Sequence, residues 1–242
     1  MSTDLPPVGG DSGAGTRLQI LATEHWSLLA TRSLTYTEAL SRVTIFLAIL
    51  SGAVIALALV AQADRFGPAF IAIAIPLLSV VMFAGIATIS RLMALNRDDY
   101  RWVIGMNRLR HAYLEMHPEL EPHFIASQYD DFRGALQTLG IDRASAGPGL
   151  GSVLHVLQTL PGMLGVLVAA VAGAIGALAA IAIPLPAPGA VAAAAGAFVV
   201  VVVLIDRWGK ESVTRPGPSL EPRFPSPGDS IDGFDSLSGR SG

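Results

Sequence analysis

Four uncharged apolar runs, residues 43–63, 69–89, 161–183 and 189–205, constrain this chain more than any other feature. At about 1.5 Å of rise per helical residue, some twenty such residues match the roughly 30 Å hydrocarbon core of a bilayer. Backbone polar groups in that core must be satisfied within the chain, so the runs read as membrane-spanning helices. The fourth is short, but no neighbouring soluble domain is large enough to bury it as a core helix. Composition points the same way, since 52% hydrophobic and 14% charged residues cannot clothe a water-soluble domain. The expected fold is all-α: a polytopic membrane protein with four transmembrane helices in two hairpins plus cytoplasmic amphipathic helices.

Six regions follow from composition and periodicity. Residues 1–16, rich in Gly, Pro and Ser, read as a disordered tail. Residues 17–42 form an amphipathic helical segment, with Leu18, Leu21, His25, Leu28 and Leu29 at helical spacing. Thr35 and Glu38, three residues apart, predict a capping box that starts a new helix leading into the first span. Residues 43–89 are the first transmembrane hairpin, closed by the turn at 64–68 and kinked near Pro76. The polar segment 90–160 is cytoplasmic and helical. There Asn96 and Asp99 predict a helix start, and Trp102, Met106, Leu109, Tyr113 and Met116 repeat as an apolar seam. Pro118 ends that helix, and a shorter one capped by Ser127 or Asp130 runs to about Leu139 and closes at Gly140. Residues 161–206 are the second hairpin, linked by Pro184-Leu-Pro-Ala-Pro188, and 207–242 read as a second disordered tail. Because the first apolar run begins only at Val43, a cleavable leader is not expected and the first span should persist.

Basic residues set the orientation. Three precede the first span, seven lie between the second and third, five follow the fourth, and Arg65 alone falls in an opposite-side turn. Cytoplasmic loops retain Lys and Arg, so both termini and the central segment are expected on the cytoplasmic face of the plasma membrane.

Candidate functional features are few. Gly165, Ala169, Gly173 and Ala177 form a ladder of small residues in the third span, and Ala48, Gly52 and Ala56 form another in the first. Small faces let helix backbones approach closely, so both ladders are candidate packing faces, within one chain or between chains of a homo-oligomer. Arg97, Arg101, Arg108 and Arg110 are candidates for contact with anionic lipid headgroups, the alternative being a solvated face. The cluster His111, Glu115, His117, Glu119, Glu121 and His123 offers zinc-ligand chemistry, but its spacing matches no metalloprotease pattern and Pro118 and Pro122 interrupt it. It reads as a solvated charged face, and no metal or cofactor is expected. Gly147 to Gly151 is glycine-rich but has no following lysine, so it is not a phosphate loop, and His155 reads as interfacial. None of the four runs carries an ionisable residue, which disfavours an ion-coupled carrier. With a net charge of −3 and no broad basic face, nucleic acid is not an expected partner. The absence of cysteine removes disulfides and thiolate metal sites.

Two segments carry a resemblance: Ala22-Thr-Glu-His-Trp-Ser-Leu-Leu-Ala-Thr-Arg-Ser33 leading into the first span, and Asn96-Arg-Asp-Asp-Tyr-Arg-Trp-Val-Ile-Gly-Met-Asn-Arg-Leu-Arg-His-Ala-Tyr113. They resemble a family of uncharacterised integral membrane proteins of actinobacterial type, over about Leu18 to Ile205. The resemblance implies a bacterial membrane protein and no assigned activity. The layout of helix, two spans and cytoplasmic helix is also similar to the two-span SLATT effector domains, which implies pore formation. The function expected is that of a non-enzymatic, self-associating membrane protein whose cytoplasmic segment is a sensor or a docking surface for a protein partner. An oligomeric channel or pore-forming effector is the alternative.

Overall fold

The computed structural model describes residues 12–140, 159–213 and 221–227. The glycine-rich stretch 147–151, His155 and the apolar residues 153–157 lie outside them. The order is α1 (Ser12–Asp64), α2 (Pro68–Met116), a 3₁₀ turn (Pro118–His123), α3 (Phe132–Leu139), α4 (Leu160–Ala182) and α5 (Ala187–Val213). Among the described residues there is no strand. Four helices are long and apolar enough to cross a membrane: α1, α2, α4 and the 187–209 part of α5.

The helices are longer than the sequence signals predict. At about 1.5 Å per residue, the 53 residues of α1 extend far beyond a bilayer core of roughly 30 Å, as do the 49 of α2. The capping box at Thr35 and Glu38 does not form, because Glu38 accepts hydrogen bonds from Arg42 and Arg91 instead of the backbone. Asp99 likewise starts no helix, since it receives the Arg32 guanidinium at 2.6 Å. With Glu38 and Asp99 drawn into ion pairs, each apolar run continues as one helix with its polar neighbour, and extending a formed helix is far easier than nucleating one. The same continuation carries α1 back to Ser12, inside the expected tail, and α5 forward to Val213. Pro76 lies within α2.

Two compact units are formed. The apolar unit comprises, among the described residues, 35–97 and 159–213. Its core gathers Phe46, Leu78, Val81, Ile89 and Leu92 with Leu164, Val168 and Val171. The α1–α2 turn is tight, with Arg65 and Phe66 at φ 46° and 62°, a region non-glycine residues seldom enter. The Asp64 carboxylate accepts from the Phe70 N–H at 2.7 Å and so satisfies one of the N–H groups left unpaired at the start of α2. Large apolar side chains also face outward, among them Ile55 at 62% exposure and Phe83 at 73%, and 187–209 has no buried residue. A surface of that kind suits lipid far better than water.

The polar unit comprises, among the described residues, 12–34, 98–140 and 221–227. Within it α1 and α2 run antiparallel, tied by Arg32–Asp99 and by Arg17–Glu115 at 3.7 Å. His25 stacks on Tyr113, and Leu28 approaches Gly105. Val103, Ile104 and Met106 form a small core with Ala135 of α3. The buried face of α2 thus includes Val103, Ile104 and Asn107, while Trp102, Leu109 and Tyr113 of the expected seam are only half-buried. Helix α3 is capped by Asp131, whose side chain accepts from the Gly134 N–H, in place of Ser127 or Asp130. Gly140 closes it in the left-handed conformation, φ 67°, as its position predicts.

Candidate functional site

The polar unit is organised around a buried amide. Asn107 is fully buried on α2 and donates from Nδ2 to the Tyr129 carbonyl at 2.7 Å. Its Oδ1 accepts from Thr138 Oγ1 at 2.9 Å and from Arg110 at 2.7 Å. Thr138 in turn accepts from the Ser127 N–H, and Ser127 Oγ from the Tyr129 N–H. One side chain therefore binds α2 to the 127–131 loop and to α3, and leaving any of these groups unpaired in the interior would cost about 1–3 kcal/mol. Gly134 completes the corner: a Cβ there would stand 2.1 Å from the Tyr129 carbonyl oxygen, so only glycine admits the crossing.

This loop presents Asp130 and Asp131, both buried, to a segment from the end of the chain. Asp130 Oδ1 accepts from the Phe224 N–H at 2.7 Å, and Oδ2 from the Arg223 N–H at 2.9 Å and Arg108 Nε at 2.6 Å. The Asp130 N–H donates to the Phe224 carbonyl at 3.1 Å. Asp131 Oδ2 accepts from the Ser226 N–H at 2.6 Å and from the Ser226 hydroxyl. Arg108 also donates to the Glu221 carbonyl at 2.9 Å, and His111 stacks on Phe224 with ring centroids 3.9 Å apart. Residues 221–227, expected to be disordered with the rest of 207–242, are thus seated in a groove lined by Arg108, His111, Asp130 and Asp131. Buried carboxylates need several donors, and here the segment supplies most of them, beside Arg108 and the Gly134 N–H.

The electrostatics follow from these contacts. Burial alone would raise the Asp130 carboxyl, but the N–H groups of Arg223 and Phe224 and the Arg108 guanidinium hold it below its ordinary value. Burial pushes Tyr100 up, and the charges of Asp131 and Asp130 push it further. His25 is lowered by burial and then by Arg110. At the edge of the apolar unit, hydrogen bonds from Arg91 and then Arg42 hold the half-buried Glu38 carboxyl down to about 2.

The arginines expected at lipid headgroups divide. Arg97 is exposed, and Arg101 is exposed with Asp98 at 3.8 Å. Arg108 and Arg110 are instead half-buried and committed to Asp130 and Asn107, because the loop and α3 pack onto their side of α2. In the His/Glu cluster, His117 Nδ1 lies 3.0 Å from Glu119 Oε1 and His111 Nε2 lies 3.8 Å from Glu115. Among the described residues no three His, Asp or Glu side chains converge as metal ligands.

The two small-residue ladders also differ. On α4, Gly173 faces the Ala194 carbonyl, where a Cβ would sit at 3.1 Å, and Gly165 meets Ile205 at an ordinary 3.4 Å. Ala169 is buried and Ala177 half-buried. Gly176, beside the ladder, is tighter, with 2.8 Å to the Ala193 carbonyl. The order of these contacts is that of antiparallel helices, so the α4 ladder packs α4 against α5. On α1, Ala48, Gly52 and Ala56 are exposed, and a Cβ on Gly52 would meet nothing within 4 Å. Gly85 is a junction the sequence reading missed: a Cβ there would lie 2.4 Å from Val168 Cγ2 and 2.9 Å from Phe46.

No family model, curated protein or solved structure matches the chain. The groove residues Asn107, Asp131, Gly134 and 221–227 were not singled out from sequence, and Asp130 was read only as a candidate helix cap. The available signal was Phe224, a bulky aromatic in a stretch otherwise rich in Pro, Gly and Ser.

Proposed function

We propose that the chain is a multi-pass plasma-membrane protein without catalytic activity, folded across the bilayer as two hairpins with both termini cytoplasmic. It self-associates and presents the polar unit to the cytoplasm as a sensor or docking surface. The observation that carries this reading is the groove at Asp130 and Asp131, which grips an extended segment chiefly by its backbone. Such main-chain capture is a recurrent mode of peptide recognition. Lipid is the partner of the outward apolar surface, and headgroup contact is assigned to Arg97 and Arg101 because they are exposed.

Self-association is assigned to α1, because the α4 ladder is occupied by α5 whereas Ala48, Gly52 and Ala56 face outward. Counting subunits by photobleaching in lipid nanodiscs tests it. Wild-type protein is expected in multi-subunit particles and Gly52→Leu in single-subunit ones, with unchanged helix content. A wild-type monomer, or an oligomer indifferent to Gly52→Leu, contradicts the assignment.

The same open face favours one second reading, an oligomeric pore, which accords with the layout similar to pore-forming effectors. Ion and dye flux through liposomes, lost in Gly52→Leu, would support it.

A further inference from the structure

We propose that residues 221–227 are a detachable ligand of the groove, held in cis, and that the groove is a receptor for extended segments carrying one aromatic between prolines. Three observations carry this. Recognition is mostly of backbone: the N–H groups of Arg223, Phe224 and Ser226 and the carbonyls of Glu221 and Phe224 are all engaged, with only the Phe224 ring and the Ser226 hydroxyl read as side chains. Pro222, Pro225 and Pro227 have no N–H to leave unsatisfied, and they bias the intervening residues toward extended backbone, which lowers the entropy lost on seating.

The third observation concerns what remains when the segment leaves. Asp130 keeps the Arg108 guanidinium and Asp131 keeps the Gly134 N–H, while the Asn107, Thr138 and Ser127 network does not involve the segment at all. Departure therefore opens carboxylate oxygens to water without stranding a charge or dismantling the corner that carries it. A strap essential to the fold would be woven into that network. This one lies on it, as a ligand lies in a preformed site.

Detachment rests on the docking-surface reading, and it has its own readout. The chain has no cysteine, so Pro227→Cys, at an exposed position, accepts a single nitroxide on the full-length protein in lipid nanodiscs. Tethering gives an effective concentration on the order of millimolar, so the competitor, a synthetic peptide of residues 221–227, is used above that. The expected spectrum is immobilised, turning mostly mobile on adding the peptide but not a version with Phe224→Ala and Ser226→Glu. Placing Ser226→Glu in the labelled chain, which sets a third carboxylate against Asp131, is expected to give the mobile spectrum with no peptide present. A label mobile from the outset, or immobile at every peptide concentration, overturns the proposal. Loss of oligomers in Gly52→Leu leaves this readout unchanged, so failure of self-association and failure of detachment are told apart.

Discussion

The apolar and polar units solve the same packing problem with opposite materials. In the apolar unit, helices meet through absent side chains: Gly85, Gly173 and Gly176 bring neighbours to distances that a methyl group would close. Its contacts are made of shape, and shape tolerates no bulk. The polar unit is assembled from three separate stretches of chain: Asp99 accepts from Arg32 of the first, Asp130 and Asp131 accept from Phe224 and Ser226 of the third, and Asn107 ties the middle one together. Its contacts are made of directed bonds, which tolerate no unpaired partner. The difference teaches where each unit is fragile: one to added volume, the other to removed or protonated polar groups.

The largest effect is expected where the polar unit borrows the rule of the apolar one. Gly134→Ala forces a Cβ onto the Tyr129 carbonyl and should cost about 3 kcal/mol, at the upper end for overpacking. Hydrogen exchange should then rise across α3 and the 127–131 loop while α4 and α5 stay protected. If Gly134→Ala proves neutral, the corner is not as tight as described. Asn107→Ala comes next, at about 2 kcal/mol, because Thr138 and the Tyr129 carbonyl lose their buried partner. The same exchange experiment checks it, and equal loss of protection in both units would erase the contrast between them.

A smaller effect comes from acid. His25 and Asp130 both have folded pKa values below their ordinary ones. Each contributes stability that is complete above the ordinary value and is lost as pH falls through the depressed one. Thermal denaturation of the polar unit should therefore weaken first as pH falls below about 6.5, through His25. It should weaken again below the ordinary carboxylate range, through Asp130. The apolar unit has Glu38, held down to about 2 by Arg91 and Arg42, so it should stay unchanged near pH 6.5 and weaken only in the carboxylate range. A pH-independent midpoint of the polar unit would remove the electrostatic half of the comparison. The smallest effect is assigned to Arg101→Ala, below about 0.5 kcal/mol, since its pair with Asp98 is long and exposed. A larger loss would show that this arginine has a partner beyond Asp98.

The same contrast decides what was legible in the sequence. The four apolar runs announce themselves because length and hydropathy are local properties, and each falls in one long helix, only Ile183 lying past a helix end. Gly140 was legible for the same reason, as a glycine placed where a helix must stop. Helix continuity through Thr35 and Asp99 was not, since it turns on which arginine each acidic side chain finds: Arg91 and Arg42 for Glu38, Arg32 for Asp99. The groove was least legible of all. Phe224 and Asp130 lie 94 residues apart, and no local pattern says that the N–H groups of a proline-rich stretch will meet two aspartates. The α4 ladder was visible as small residues, but whether α5 or another chain covers it depends on a neighbour that the ladder does not specify.

The most direct test of the whole account uses single cysteines in this cysteine-free chain and a membrane-impermeant maleimide. Trp26→Cys, Ile55→Cys, Phe66→Cys and Phe132→Cys place a probe on the polar extension of α1, in its apolar run, in the α1–α2 turn and on α3, all at exposed positions. The account predicts labelling at 66 in intact cells, at 26 and 132 only after permeabilisation, and at 55 in neither case. Labelling at 55 as fast as at 26 would contradict it, because α1 would then lie in water along its whole length.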